Sequence, residues 1–179
     1  MKKKSREFLD ILFRYSFLVL TGFFGLNLLY SLFNVLTLYP SHFLINLFFD
    51  ANLNENLITV SSCFPIEIVG ACIAGAAYYL LLILNLATPK INLKKRLKLI
   101  VLSFLSFLVL NLIRIFLLSL MFISNSSFFD ITHKLFWYFG STLFVVIIWF
   151  AQVKIFKIKD IPFYSDLKFL YKNSLLKRK

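Results

Sequence analysis

Leu110-Asn111-Leu112-Ile113-Arg114-Ile115 decides how this chain is read. It sets a guanidinium inside an apolar run, Leu97 to Ile123, that otherwise has the length and composition of a membrane span. An arginine near the middle of a bilayer helix costs between about 2.5 and well over 10 kcal/mol, depending on how it is measured. Such a residue persists where it faces a polar interior, finds a partner or takes part in chemistry.

The rest of the composition agrees with a membrane reading. Of 179 residues, 60% are hydrophobic and 18% aromatic, and the mean hydropathy is +0.82. A soluble domain of this size would carry more surface charge than the 16% of residues that are charged. The expected class is all-α: a polytopic helical bundle with about four main spans. The first apolar run is too long, and lacks the small-residue site, for a cleavable signal peptide. The net charge of +12 is no sign of nucleic-acid binding, because 18 of the 20 basic residues fall in three clusters. These precede the first span, separate the second from the third, and follow the last. Positive-inside topology accounts for them and puts both termini in the cytoplasm. Arg114 and Lys134 are the exceptions.

In order, the run Ile11 to Leu38 carries the first span, from about Tyr15, with Gly22 and Gly25 as close-contact points. Tyr39-Pro40 is expected to end it, leaving Ser41 to Phe49 as an interfacial or helix-extension segment. Asp50 to Asn56 is turn-rich and Leu57 to Val60 strand-like, so a short outer hairpin is expected. Ser62 to Leu86 reads as the second span, rich in small residues from Gly70 to Ala77. The third is Leu97 to Ile123 and the fourth Thr132 to Phe156, with Trp137, Tyr138 and Trp149 at its interfacial ends. Residues 1–160 form one transmembrane domain. Residues 161–179 form a basic cytoplasmic tail, amphipathic from Asp166.

That topology gives depths to the reactive side chains. Cys63 falls at the outer end of the second span and His133 at the outer end of the fourth. Arg114 lies roughly 13 Å below the outer end of the third, and its stem can snorkel toward the other two. A thiolate is a nucleophile whose pKa a neighbouring cation lowers. An imidazole can move its proton, and a guanidinium in a dry site can stabilise an oxyanion. Together they describe acyl transfer through a thioester. Glu67 follows Cys63 by four residues, so on the expected helix both share a face with Gly70, Ala74 and Ala77, and Glu67 can pair with Arg114; Asn111 shares the face of Arg114. Either could support the site, or merely satisfy a buried neighbour. On the same helix Cys72 faces away from Cys63, too distant for a disulfide, and reads as packing. His42 reads as structural. No spacing suggests a metal site or another cofactor.

Cys63-Phe64-Pro65-Ile66-Glu67 at a span start, Ala87-Thr88-Pro89 at its close, Asn111-Leu112-Ile113-Arg114-Ile115 and His133 resemble the archaeosortase/exosortase family. The resemblance covers roughly residues 40–155, and the compact length favours the archaeosortase branch. It implies Cys63 as nucleophile, Arg114 as oxyanion or substrate-orienting group, and His133 as acid/base. It implies a cysteine peptidase or transpeptidase of the cell membrane with its site facing outside. The partners would be C-terminal transmembrane tails of surface proteins, with a membrane lipid as acceptor. Phe64 and Pro65 depart from the small residues the family often carries after the Cys, which points to a different substrate groove. The alternative is a transporter or envelope-assembly subunit in which Arg114 holds an anion or a lipid headgroup.

Overall fold

The computed structural model describes residues 2–61 and 64–173. Helix makes up 75% and strand 7%, so the chain is a helical membrane protein with one small sheet. The elements run α1 (Lys2–Leu20), a π-helical turn (Thr21–Gly25), α2 (Leu26–Asn46), β1 (Ala51–Asn54), β2 (Leu57–Val60) and β3 (Phe64–Glu67). They continue with α3 (Gly70–Ile73), α4 (Gly75–Leu86), α5 (Leu93–Ile123), α6 (Phe129–Leu135), a second π-helical turn (Phe136–Gly140), α7 (Ser141–Ile155) and α8 (Tyr164–Asn173).

Three helical stretches, Leu26–Asn46, Leu93–Ile123 and Phe129–Ile155, are long and apolar enough to cross a membrane. Gly70–Leu86 is apolar but shorter, about 25 Å at helical rise against a hydrocarbon core of about 30 Å. α5 is the central helix, packed on α2, α4 and α7. The interior is aromatic: Tyr78 is fully buried among Phe33, Phe104 and Phe107. Gly75 lets α4 approach Tyr30, whose ring would lie 2.8 Å from an added Cβ. Polar ties cross the bundle where hydrocarbon offers no other partner. Gln152 donates to the Leu99 carbonyl at 2.7 Å, and Asn85 donates to Ser103 at 3.3 Å.

Several expectations change. Pro40 does not end its helix; α2 continues through it to Asn46, so Ser41 to Asn46 is a helix extension. The expected hairpin is present as β1 and β2, and a third strand joins it in the order β1-β2-β3. That strand occupies Phe64–Glu67, where the second span was expected to begin. Its alternation of half-buried Phe64 and Ile66 with exposed Pro65 and Glu67 is the period of a strand with one face covered. Glu67 therefore does not share a helical face with Gly70 and Ala74. Trp149, expected at an interface, is buried, whereas Trp137 and Tyr138 are exposed.

The sheet joins α2 near its C-terminal end, and two described residues of the basic clusters, Arg14 and Arg96, meet at the C-terminal end of α4. At this basic end the last carbonyls of α4, which have no partner within the helix, are held by two arginines. The Leu86 carbonyl accepts from Arg14 at 3.0 Å and from Arg96 at 2.7 Å. Arg14 also pairs with Asp166 of α8 at 3.0 Å, and both side chains are buried. The Tyr15 hydroxyl donates to the same carboxylate at 3.1 Å. The expected surface helix from Asp166 is thus a docked one.

Candidate active site

The site is built around a break in the short helix. Ala74 takes φ 55°, ψ 40°, the left-handed conformation that ends α3 and precedes α4. A residue with a Cβ pays about 1–2 kcal/mol there, so the surroundings must hold it. The break leaves the Ala71 and Cys72 carbonyls without the partners a continuous helix would give them. Two side chains of α5, one turn apart, take their place. Asn111 donates to the Cys72 carbonyl at 2.7 Å, and Arg114 Nη2 donates to the Ala71 carbonyl at 3.3 Å. Ala71, Cys72 and Ala74 at the break line a cavity.

Arg114 is 6% exposed, so it is enclosed rather than snorkelling to a surface. Its Nη1 donates to the Ser141 hydroxyl at 2.9 Å, which ties α5 to α7. The expected pairing with Glu67 is absent: Glu67 is exposed, and no ion pair involves Arg114 among the described residues. Among the described residues the guanidinium is met by a neutral hydroxyl and a neutral carbonyl, its buried Nε has no hydrogen-bond partner, and no carboxylate pairs with it.

Two adjoining cavities, each of about 200 Å³, share Arg114, His133 and Cys72 in their walls. The first opens along β3, with Pro65, Ile66 and Glu67 on one side and Phe122 and Phe129 opposite. The second lies beneath the helix break, against Tyr30, Trp137 and Ser141. His133 stacks on Phe129 at 5.4 Å between ring centroids and meets the Trp137 ring edge-on at 6.0 Å. Aromatic packing alone orients it among the described residues. The π-helical turn between His133 and Ser141 leaves both facing the second cavity, and such wide turns recur at functional sites.

Of the expected site residues, Arg114 and His133 are brought together, and Asn111 supports them through the backbone. Glu67 lines the first cavity without touching the arginine. Cys63 lies outside the described residues. Cys72, expected as packing, packs half-buried against the hydrophobic core and also lines both cavities; its direction relative to Cys63 lies outside the described residues. Ser141 joins the site as well; helical spacing puts it on one face with His133 and Trp137, at i, i+4 and i+8. His42 is structural, its Nε2 donating to the Ala51 carbonyl at 3.0 Å. Among the described residues no three His, Cys, Asp or Glu side chains group closely enough to hold a metal ion. No family model, curated protein or solved structure matches this chain.

Proposed function

We propose that the chain is a cysteine peptidase or transpeptidase of the archaeosortase/exosortase type, cutting C-terminal sorting signals of surface proteins at the outer face of the cell membrane. The observation that carries this reading is Arg114, buried with no carboxylate partner among the described residues and sharing two cavities with His133. A preorganised cation in a water-poor pocket favours the charge that develops on a carbonyl oxygen under attack. In this reading the chain crosses four times with both termini in the cytoplasm. Gly70–Leu86 is the second, short crossing, and the sheet lies outside.

The Cys63 thiol gives its proton to His133, and the sulfur attacks the scissile carbonyl carbon. The C–S bond forms while the carbonyl π pair moves to oxygen, where Arg114 meets it. As the oxyanion collapses, the C–N bond breaks, and His133 returns the proton to the leaving amine. The thioester is then opened by a lipid nucleophile or by water, whose proton restores the thiol. Cys63 carries this role by its position directly before β3, whose next residues line the cavity.

The test is made in the full-length chain in its own cells. Cys63→Ala should leave surface proteins with a motif, span and basic tail uncut. Cys72→Ala should be the milder change, and a block by Cys72→Ala alone would transfer the nucleophile to Cys72. Full processing in both variants would falsify the enzymatic reading. A buried arginine with no carboxylate partner among the described residues also suits a non-enzymatic anion or lipid-headgroup site in a transporter or assembly subunit. That second reading expects Cys63→Ser to be silent and Arg114→Ala to be damaging.

A further inference from the structure

The two edges of the sheet differ in a way that bears on how a substrate is held. Antiparallel ladders alternate between pairs that exchange hydrogen bonds and pairs that do not. The Ile68 N–H donates to the Asn56 carbonyl at 2.9 Å. With Ile58 opposite Ile66 and Val60 opposite Phe64, the even-numbered residues of β3 are the ones that bond β2. Pro65 and Glu67 fall at the alternate positions, opposite Thr59 and Leu57. The Pro65 carbonyl and the Glu67 N–H and carbonyl therefore point off the sheet. Proline is tolerated here because its missing N–H would have faced outward.

The opposite edge is capped at Ala51, although the same alternation also turns the Leu53 backbone groups outward. In β1 the Ser61 N–H to Asp50 carbonyl bond, at 2.8 Å, fixes the same alternation, which turns the Ala51 backbone groups outward. Both are capped by α2, the N–H by Asn46 Oδ1 at 3.1 Å and the carbonyl by His42 at 3.0 Å. On β3 no described residue bonds the outward groups of Pro65 and Glu67. That same edge walls the cavity holding Arg114 and His133. Opposite it stand Leu118, Phe122 and Phe129, an apolar wall for alternate side chains of an added strand.

We propose that β3 is a docking edge to which an extended peptide segment of the substrate adds as a fourth strand. This rests on the peptidase reading above. Main-chain hydrogen bonds to Pro65 and Glu67 fix the segment's register, and the apolar wall selects an apolar side chain at the inward position. Strand addition also holds the backbone extended, with its carbonyls regularly spaced along the cavity that contains the guanidinium. Pro65 limits the edge to three bonding groups, so it accepts one short strand and resists open-ended sheet growth.

Hydrogen–deuterium exchange at single-residue resolution tests this on the full-length chain in nanodiscs. The probe is a synthetic peptide copying the segment before the terminal span of a surface protein that accumulates uncut in the Cys63→Ala strain. The Glu67 amide should exchange quickly in the protein alone and at least tenfold more slowly with the peptide bound. The Ile66 and Ile68 amides, already paired with β2, should change little. Peptide binding that leaves Glu67 exchange unaltered overturns the docking edge. Glu67→Pro removes the same N–H without touching a bond to β2, and should raise KM for the tail while kcat changes less than twofold. A fall in kcat with KM unchanged also overturns it. If no surface protein accumulates in the Cys63→Ala strain, the peptidase reading itself has failed, before the edge is tested.

Discussion

Asn111 donates to the Cys72 carbonyl at 2.7 Å, joining residues 39 apart in sequence. The bond holds the broken end of a short helix against α5, one turn from the place where Arg114 does the same for Ala71. Replacing Asn111 with Leu keeps the bulk and removes the donor, leaving a buried carbonyl unpaired at a cost of about 1–3 kcal/mol. Thermal unfolding in detergent should show that loss. A variant as stable as the parent would mean that the break does not depend on this bond.

Arg114→Met separates stability from function. Removing a buried charge with no carboxylate partner among the described residues relieves a desolvation cost, while the Ala71 carbonyl and the Ser141 hydroxyl lose a donor each. These effects oppose, so unfolding should shift by no more than about 1–2 kcal/mol. Processing of surface-protein tails should fall by about 10²–10³ or more, as when an oxyanion donor is lost. A variant that unfolds outright would make Arg114 a structural residue.

His133→Ala should slow the reaction of Cys63 with an external thiol reagent, because a thiolate reacts where the thiol does not. The comparison is made with Cys72 replaced by Ser, so that one thiol is read. Unchanged labelling would remove His133 from thiol activation.

At the basic end, Asp166→Ala leaves Arg14 buried beside the Leu86 carbonyl without its buried counter-ion, with the exposed Asp10 carboxylate still 3.0 Å from its Nε. Breaking one half of a buried pair typically costs about 3–5 kcal/mol. α8 should then release, seen as faster proteolysis after Phe163, with the sheet end less affected. Equal protease resistance would show that α8 is held by other contacts.

Ala74→Gly should be tolerated or stabilising by up to about 1 kcal/mol, since glycine takes φ 55° without a Cβ penalty. Gly75→Leu should destabilise by about 1–3 kcal/mol, because even a Cβ there approaches the Tyr30 ring at 2.8 Å. Denaturation midpoints of the two variants, one residue apart, should move in opposite directions or differ clearly in size.

Composition and apolar run length by themselves determined that this is a helical membrane protein, and the lone arginine at 114 marked where to look. Those signals are local: a run of Leu, Ile and Phe has little choice but helix in hydrocarbon, and a charge within it is costly wherever it points. The hairpin was legible from its turn residues for the same reason. Tertiary structure decided the remainder. Phe64 to Glu67 is apolar enough for either state, and only pairing with β2 made it a strand. That pairing moved the helix start to Gly70 and separated Glu67 from Arg114, while Cys72 packs on the core and also walls the cavity. The partners of Arg114 are Ala71 and Ser141, 43 and 27 residues away, and Arg14 finds Asp166 across 152 residues. No sequence spacing encodes such contacts. They follow from which backbone carbonyls a short, broken helix leaves unpaired once its neighbours close around it.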